Sequence, residues 1–222
     1  GPPSLRAAGQ ALLYWEQRQQ VNANNLANTE TPGFRGKRVF SELLNGSIPG
    51  LGSVDDPRPG DIQETGNPLD LALIGPGSFL VQDGPGVRAV RSGSFTLNAD
   101  GRIMDSQGRL LLGENGPMIL PPGPVDIDSW GGVSVSGEVV GRLRIVEEAG
   151  LSDGLLDAST LRDIPTEDVR VRQGFIEGSN VSTLDALIEM TTIQRSFESV
   201  QNAVRAIDSM MDTAVNRIGR LE

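Results

Sequence analysis

From Ala186 to Leu221 the apolar residues fall at alternating spacings of four and three: Ala186, Met190, Ile193, Phe197, Val200, Val204, Ile207, Met211, Ala214, Ile218 and Leu221. This is a coiled-coil seam held over five heptads, and a helix that carries it needs other helices to cover it. Ser182, with Asp185 three residues on, opens the helix as a capping box. No Gly or Pro interrupts it before Gly219. Such a helix spans roughly 50–60 Å at about 1.5 Å per residue, longer than a compact β-domain needs for cover. That mismatch predicts packing between molecules. Folding back onto a helix of the same chain is the other reading, and the two are compatible.

A second helix is predicted at the other end. Ser4 follows two prolines and can cap a helix running to about Asn28. Leu5, Ala8, Leu12 and Trp15 are spaced 3-4-3, and the seam continues through Gln19 and Asn22 to Leu26. Asn22, Asn25 and Asn28 lie three apart, with Asn24 four before Asn28, so amides line one side. They read either as a fraying helix end or as an interface where amides fix register at some cost in stability. Arg18, Arg35, Lys37 and Arg38 form a basic cluster, either a solvated face or a partner for acidic neighbours. Thr31-Pro32-Gly33 ends the helix. The candidate assembly interface is therefore Leu12, Trp15, Asn22, Asn24, Asn25 and Asn28 on the first helix. On the last it is Met190, Ile193, Phe197, Val200, Val204, Ile207, Met211 and Ile218.

Between the helices the chain is rich in Gly and Pro, with 28 and 14 residues overall. Phe34–Phe40 reads as an extended basic connector, and 45–68 as a loop whose glycines and prolines exclude any long regular element. From about Leu69 the apolar period becomes two, with turn signals at Asp83-Gly84, Asp100-Gly101 and Gln107-Gly108. Residues 148–170 are again loop-like, and Val169–Phe175 is a last extended piece. The expected fold is α+β: long N- and C-terminal helices forming a coiled-coil-like layer, with a central all-β domain. The expected division is 1–45 for helix and connector, 46–170 for the β-domain, and 171–222 for the coiled-coil helix.

Chemistry is scarce in this sequence. Cys and His are both absent, which excludes thiol nucleophiles, imidazole bases, disulfides and the common zinc, copper and haem ligand sets. The adjacent carboxylates Asp55-Asp56 and Glu147-Glu148 would point to opposite faces of a strand, so neither makes a catalytic pair. Asn98-Ala-Asp100-Gly101 and Asp126-Ile-Asp128 read as Asx-turns rather than calcium loops. No catalytic residue, cofactor or metal is expected. The formal charge of −10 argues against nucleic acid or an anionic membrane as main partner. No apolar stretch approaches a membrane span, and no basic segment followed by an apolar one suggests a cleavable signal peptide.

Particular motifs carry a family resemblance. Val21-Asn22-Ala23-Asn24-Asn25-Leu26-Ala27-Asn28-Thr29-Glu30-Thr31-Pro32-Gly33-Phe34-Arg35 resembles the N-terminal signature of the flagellar rod and hook proteins. Asn67–Gly75 with Gly77, Phe79 and Val81, then Arg91-Ser92-Gly93-Ser94-Phe95 and Gly108–Gly113, are similar to that family's central segments. Gln173-Gly174-Phe175-Ile176-Glu177-Gly178-Ser179-Asn180-Val181 and Gln194–Glu198 resemble its C-terminal signature. The ending Ala214–Arg220 is more similar to proximal than to distal rod members. The resemblance implies a non-enzymatic structural subunit of the basal-body rod, which transmits torque for motility. It implies location in the periplasm and export through the flagellar type III apparatus without a cleavable signal. Its implied partners are that apparatus and other rod subunits, proximal and distal, with the bushing rings as candidates. The alternative reading is an accessory binding module whose β-domain recognises a partner protein or a cell-wall glycan.

Overall fold

The computed structural model describes residues 3–42, 50–147, 156, 161–165 and 168–218. The chain divides into two compact units. One combines residues 1–29, 36–56 and 181–222, and the other 30–35 and 57–180.

The first unit holds helix α1 (Pro3–Ala27), the antiparallel pair β1 (Lys37–Glu42) and β2 (Gly50–Asp55), and helix α2 (Thr183–Ile218). Ser182 caps α2: its Oγ accepts from the Asp185 N–H at 3.3 Å, which satisfies one of the donors that a helix start leaves open. The two helices run antiparallel, with Asn22 opposite Ala186 and Arg18 opposite Glu189. Within β1–β2 the ring of Phe40 lies over Gly52, where an added Cβ would come within 2.6 Å of it. Glycine therefore serves here as the seat for an aromatic ring and not as a strand breaker.

That arrangement corrects the expected fold. The structure is α+β, but the coiled-coil-like layer is not formed: two helices only are present among the described residues. Among the described side chains of the seam on α2, only Ala186 and Ile193 are buried; Met190, Phe197, Val200, Val204 and Ile207 are half-exposed, and Met211 is exposed. The physical reason is the partner. Where α1 meets α2 it offers Arg18 and Asn22 in place of the apolar knobs that a supercoiled seam requires. Helix α1 is also the shorter by far, 25 residues against 36.

The second unit holds β3 (Ile62–Glu64), β4 (Asp70–Ile74), β5 (Ser78–Asp83), β6 (Gly86–Val90), β7 (Ser92–Ser94), β8 (Thr96–Leu97), β9 (Ile103–Met104) and β10 (Leu110–Gly113). It continues with β11 (Gly116–Pro117), β12 (Val125–Ile127), β13 (Gly132–Val135), β14 (Glu138–Arg142), β15 (Ile145–Val146), β16 (Arg170–Gln173) and β17 (Phe175–Glu177). The main sheet runs β15-β5-β10-β9-β8, with β6 on β5 and β11 on β10. Smaller sheets are β12-β13-β14, β16-β4-β7 and β17-β3. Strand β5 is central because both of its faces are apolar: Phe79 and Val81 enter the larger core with Leu71, Phe95, Ile103 and Leu111. Leu80, on the opposite face, packs with Val87, Leu112 and Val146.

The turn reading holds at Gly84, Gly101 and Gly108, which have φ of 59°, 75° and 77°, where a Cβ would be strained. The Oδ1 of Asn98 accepts from the Asp100 and Arg102 N–H groups, and that of Asp128 from Trp130 and Gly132, closing Asx-turns. One expectation is corrected. The stretch expected as connector and loop contains β1, β2 and β3, because long-range pairing supplies what its composition withholds. Much of the loop expected over 148–170 lies outside the described residues.

Phe79 is fully buried at the centre of the larger core. Phe79→Ala is expected to destabilise this unit by about 3–5 kcal/mol, read as a lowered midpoint in urea unfolding.

Candidate assembly surface

All fourteen residues singled out from the sequence as an assembly interface lie on α1, on α2 or, for Asn28, just past the end of α1. The amides separate by role. Asn22 is buried, and its Nδ2 donates to the Ala186 carbonyl at 2.8 Å, a direct tie between the helices. Asn25 faces the hairpin instead: its Nδ2 donates to the Lys37 carbonyl, and its Oδ1 accepts from the Lys37 N–H, both at 2.8 Å. Asn28 turns back onto its own helix, donating to the Asn24 carbonyl. The Asn24 side chain is exposed. Two of the four amides thus fix neighbours within the unit, one finishes the helix, and one faces water.

Leu12 and Trp15 are half-buried. Trp15 packs edge-on against Tyr14 with ring centroids 5.3 Å apart, and the Arg18 guanidinium lies 5.2 Å from the Trp15 ring. Arg18 also pairs with Glu189 on α2. Both side chains are one-third exposed, so water screens the pair and leaves it worth about 1 kcal/mol or less. From the basic cluster, Arg38 pairs with Asp56 at 2.7 Å within the hairpin unit.

On α2, Ile193 is buried and Met190, Phe197, Val200, Val204 and Ile207 stay partly wet. Met211 is exposed beside Met210, which is 68% exposed. Ile218 lies within α2, and its side chain is outside those described. A further apolar group was not anticipated: Leu184, Leu187 and Ile188 are all exposed near the start of α2. Their i, i+3, i+4 spacing was readable, but it falls outside the heptad register that drew attention.

Counting along the antiparallel pair from Asn22 opposite Ala186, the start of α1 comes level with about residue 205 of α2 at equal rise per residue. The remainder of α2, roughly 20 Å at about 1.5 Å per residue, extends beyond it. The apolar stripe of α2 thus continues past the end of the helix that lies beside it.

A family model described as flagellar basal body rod FlgEFG protein C-terminal matches residues 172–217, which take in the second half of β16, all of β17 and nearly all of α2. A flagellar basal-body rod protein FlgF of Caulobacter vibrioides is 31% identical over 224 residues, covering 90% of this chain and 91% of its own. The chain belongs to the flagellar basal-body rod protein family. A rod protein FlgF of Escherichia coli is 32% identical, with 92% of each chain covered. A rod protein FlgG of Bacillus subtilis is 27% identical over 96% of this chain and 98% of its own. These relatives match nearly end to end, so the likeness takes in the exposed stretch of α2 as well as the β-rich unit. Rod proteins form a structural family. Among the described residues of this member, no helix is long and apolar enough to cross a membrane.

Asn25→Ala removes both bonds to Lys37, each worth about 1 kcal/mol. Amide exchange at Val39 and Phe40 is expected to quicken, while thermal unfolding of the β-rich unit stays where it is in the parent protein.

Proposed function

We propose that this protein is a subunit of the axial rod of the bacterial flagellum, assembled through the stretches of α2 that α1 leaves uncovered. The observation that carries the reading is the length mismatch of the helix pair. Val204, Ile207, Met210 and Met211 lie level with or beyond the start of α1, and Leu184, Leu187 and Ile188 stand exposed at the other end of α2. A subunit with two unlike apolar patches suits head-to-tail contacts, which produce an open helical array when the rotation between neighbours does not close. Burial of each patch against a neighbour contributes on the order of 25 cal/mol per Å² of apolar surface. That gain drives assembly without any chemical step, and the subunit acts as a mechanical part rather than an enzyme.

The partners in this proposal are other rod subunits, with torque passing through the assembled shaft to the structures beyond it. Passage through the flagellar export apparatus as an unfolded chain fits a sequence without cysteine, which cannot form a mispaired disulfide on the way to an oxidising compartment. A periplasmic rod position follows from that route. The proximal position is supported by the similarity of Ala214–Arg220 to proximal members. Contact with the bushing rings belongs to the same proposal. Neither the family nor the relatives favour the accessory binding module.

Ile207→Asp and Met211→Asp each place a carboxylate on the part of α2 that extends beyond the start of α1. Both are expected to abolish swimming in soft agar, with the β-rich unit of the purified variant melting as in the parent. Normal swimming would overturn the proposal.

A further inference from the structure

Three motifs far apart in sequence meet inside the β-rich unit, around one ion pair sealed from solvent. Arg91 Nη2 lies 3.2 Å from Glu177 Oε2, and the two side chains are 2% and 1% exposed. The same Nη2 donates to the Leu73 carbonyl at 3.1 Å, and Nη1 donates to the Gly77 carbonyl. Next to Arg91, Ser92 Oγ donates to the Leu71 carbonyl and accepts from the Glu177 N–H at 2.8 Å. Glu177 thus meets strand β4 and its turn through Arg91 and Ser92.

The rest of Glu177 reaches the segments by which the chain enters and leaves this unit. Its carbonyl accepts from the Gly33 N–H at 2.7 Å, and its Oε1 accepts from the Gly60 N–H at 3.2 Å. Neighbouring bonds continue the stitching. Asn180 donates its N–H to the Phe34 carbonyl at 3.1 Å and its Nδ2 to the Arg58 carbonyl at 2.7 Å, and Gly178 N–H donates to Asp61 at 2.8 Å. The approach is close enough to require glycine at two points. A Cβ on Gly60 would stand 1.9 Å from the Gly178 oxygen, and one on Gly33, at φ +67°, would stand 2.8 Å from the Ser92 nitrogen.

We propose that Arg91 and Glu177 form a clamp that holds residues 30–35, 57–60 and 177–180 on the β-rich unit, and that both are positioning residues for these connectors. Every covalent path between this unit and the helices or hairpin runs through those segments. The motifs around Thr31–Arg35, Arg91–Phe95 and Gln173–Val181 are then parts of one device. A guanidinium suits the post, because its rigid fork of donors engages two carbonyls and one carboxylate oxygen at once.

The test is amide hydrogen exchange on the purified full-length protein, comparing Glu177→Gln and Arg91→Lys with the parent. The amides of Gly33, Gly60, Gly178 and Asn180 are expected to exchange about tenfold faster in both variants, as a local opening. Those of β5 and β10 should keep their parent protection. Connector amides that exchange no faster, or that rise only in step with β5 and β10, would overturn the clamp. If Glu177→Gln does not fold, Arg91→Lys, which keeps the charge pair, is read by the same criterion. Failure of both to fold would assign the pair to the core as a whole and refute the proposal. The measurement is made on the single chain, so it is decided independently of rod assembly.

Discussion

The charges on Arg91 and Glu177 are shut away from water within the β-rich unit, where an unpaired ion would be prohibitively expensive. Desolvation is offset when each ion meets its partner and further hydrogen bonds take up the other donors and lone pairs. The carbonyls of Leu73 and Gly77 and the Gly60 N–H supply such bonds, while the buried Arg91 Nε has no partner. Loss of one member of such a pair typically costs about 3–5 kcal/mol, a large share of the stability of a domain. Much of the order at the mouth of this unit follows from that requirement.

What the sequence disclosed depended on whether the cause was local. Strand β5 is legible because Phe79, Leu80 and Val81 form a run apolar on both faces, and Gly84, Gly101 and Gly108 mark turns through their own backbone needs. Both helices were readable from their period, and α2 from its Ser182 cap as well, whereas α1 begins at Pro3, one residue before the Ser4 expected to cap it. Strands β2 and β3 were not. The partner of β3 is β17, more than a hundred residues away, and Gly52 looks like a breaker until Phe40 is seen lying on it.

The assembly residues show the same limit. A heptad seam states that a helix wants cover, but not how long the cover is or what chemistry it offers. On α1 that chemistry is Asn22 bonded to a main-chain carbonyl and Arg18 bonded to Glu189, both invisible to apolar periodicity. The seam was therefore correctly seen as apolar and wrongly completed as a coiled coil. Helix α2 keeps Met210, Met211, Leu184 and Ile188 in contact with solvent, and these are the residues that the proposed assembly would bury.

Asn25 has a consequence of its own. A carboxamide presents an N–H donor and a carbonyl acceptor side by side, so by bonding both main-chain groups of Lys37 it acts as one rung of a ladder beside β1. The edge of a two-stranded ribbon is thereby occupied at its root by a side chain, with no third strand needed. Aspartate has the shape but lacks the donor, and glutamine has both groups at the wrong reach. The asparagine amide thus fits both main-chain groups of Lys37 at once, whatever the rest of the helix face does.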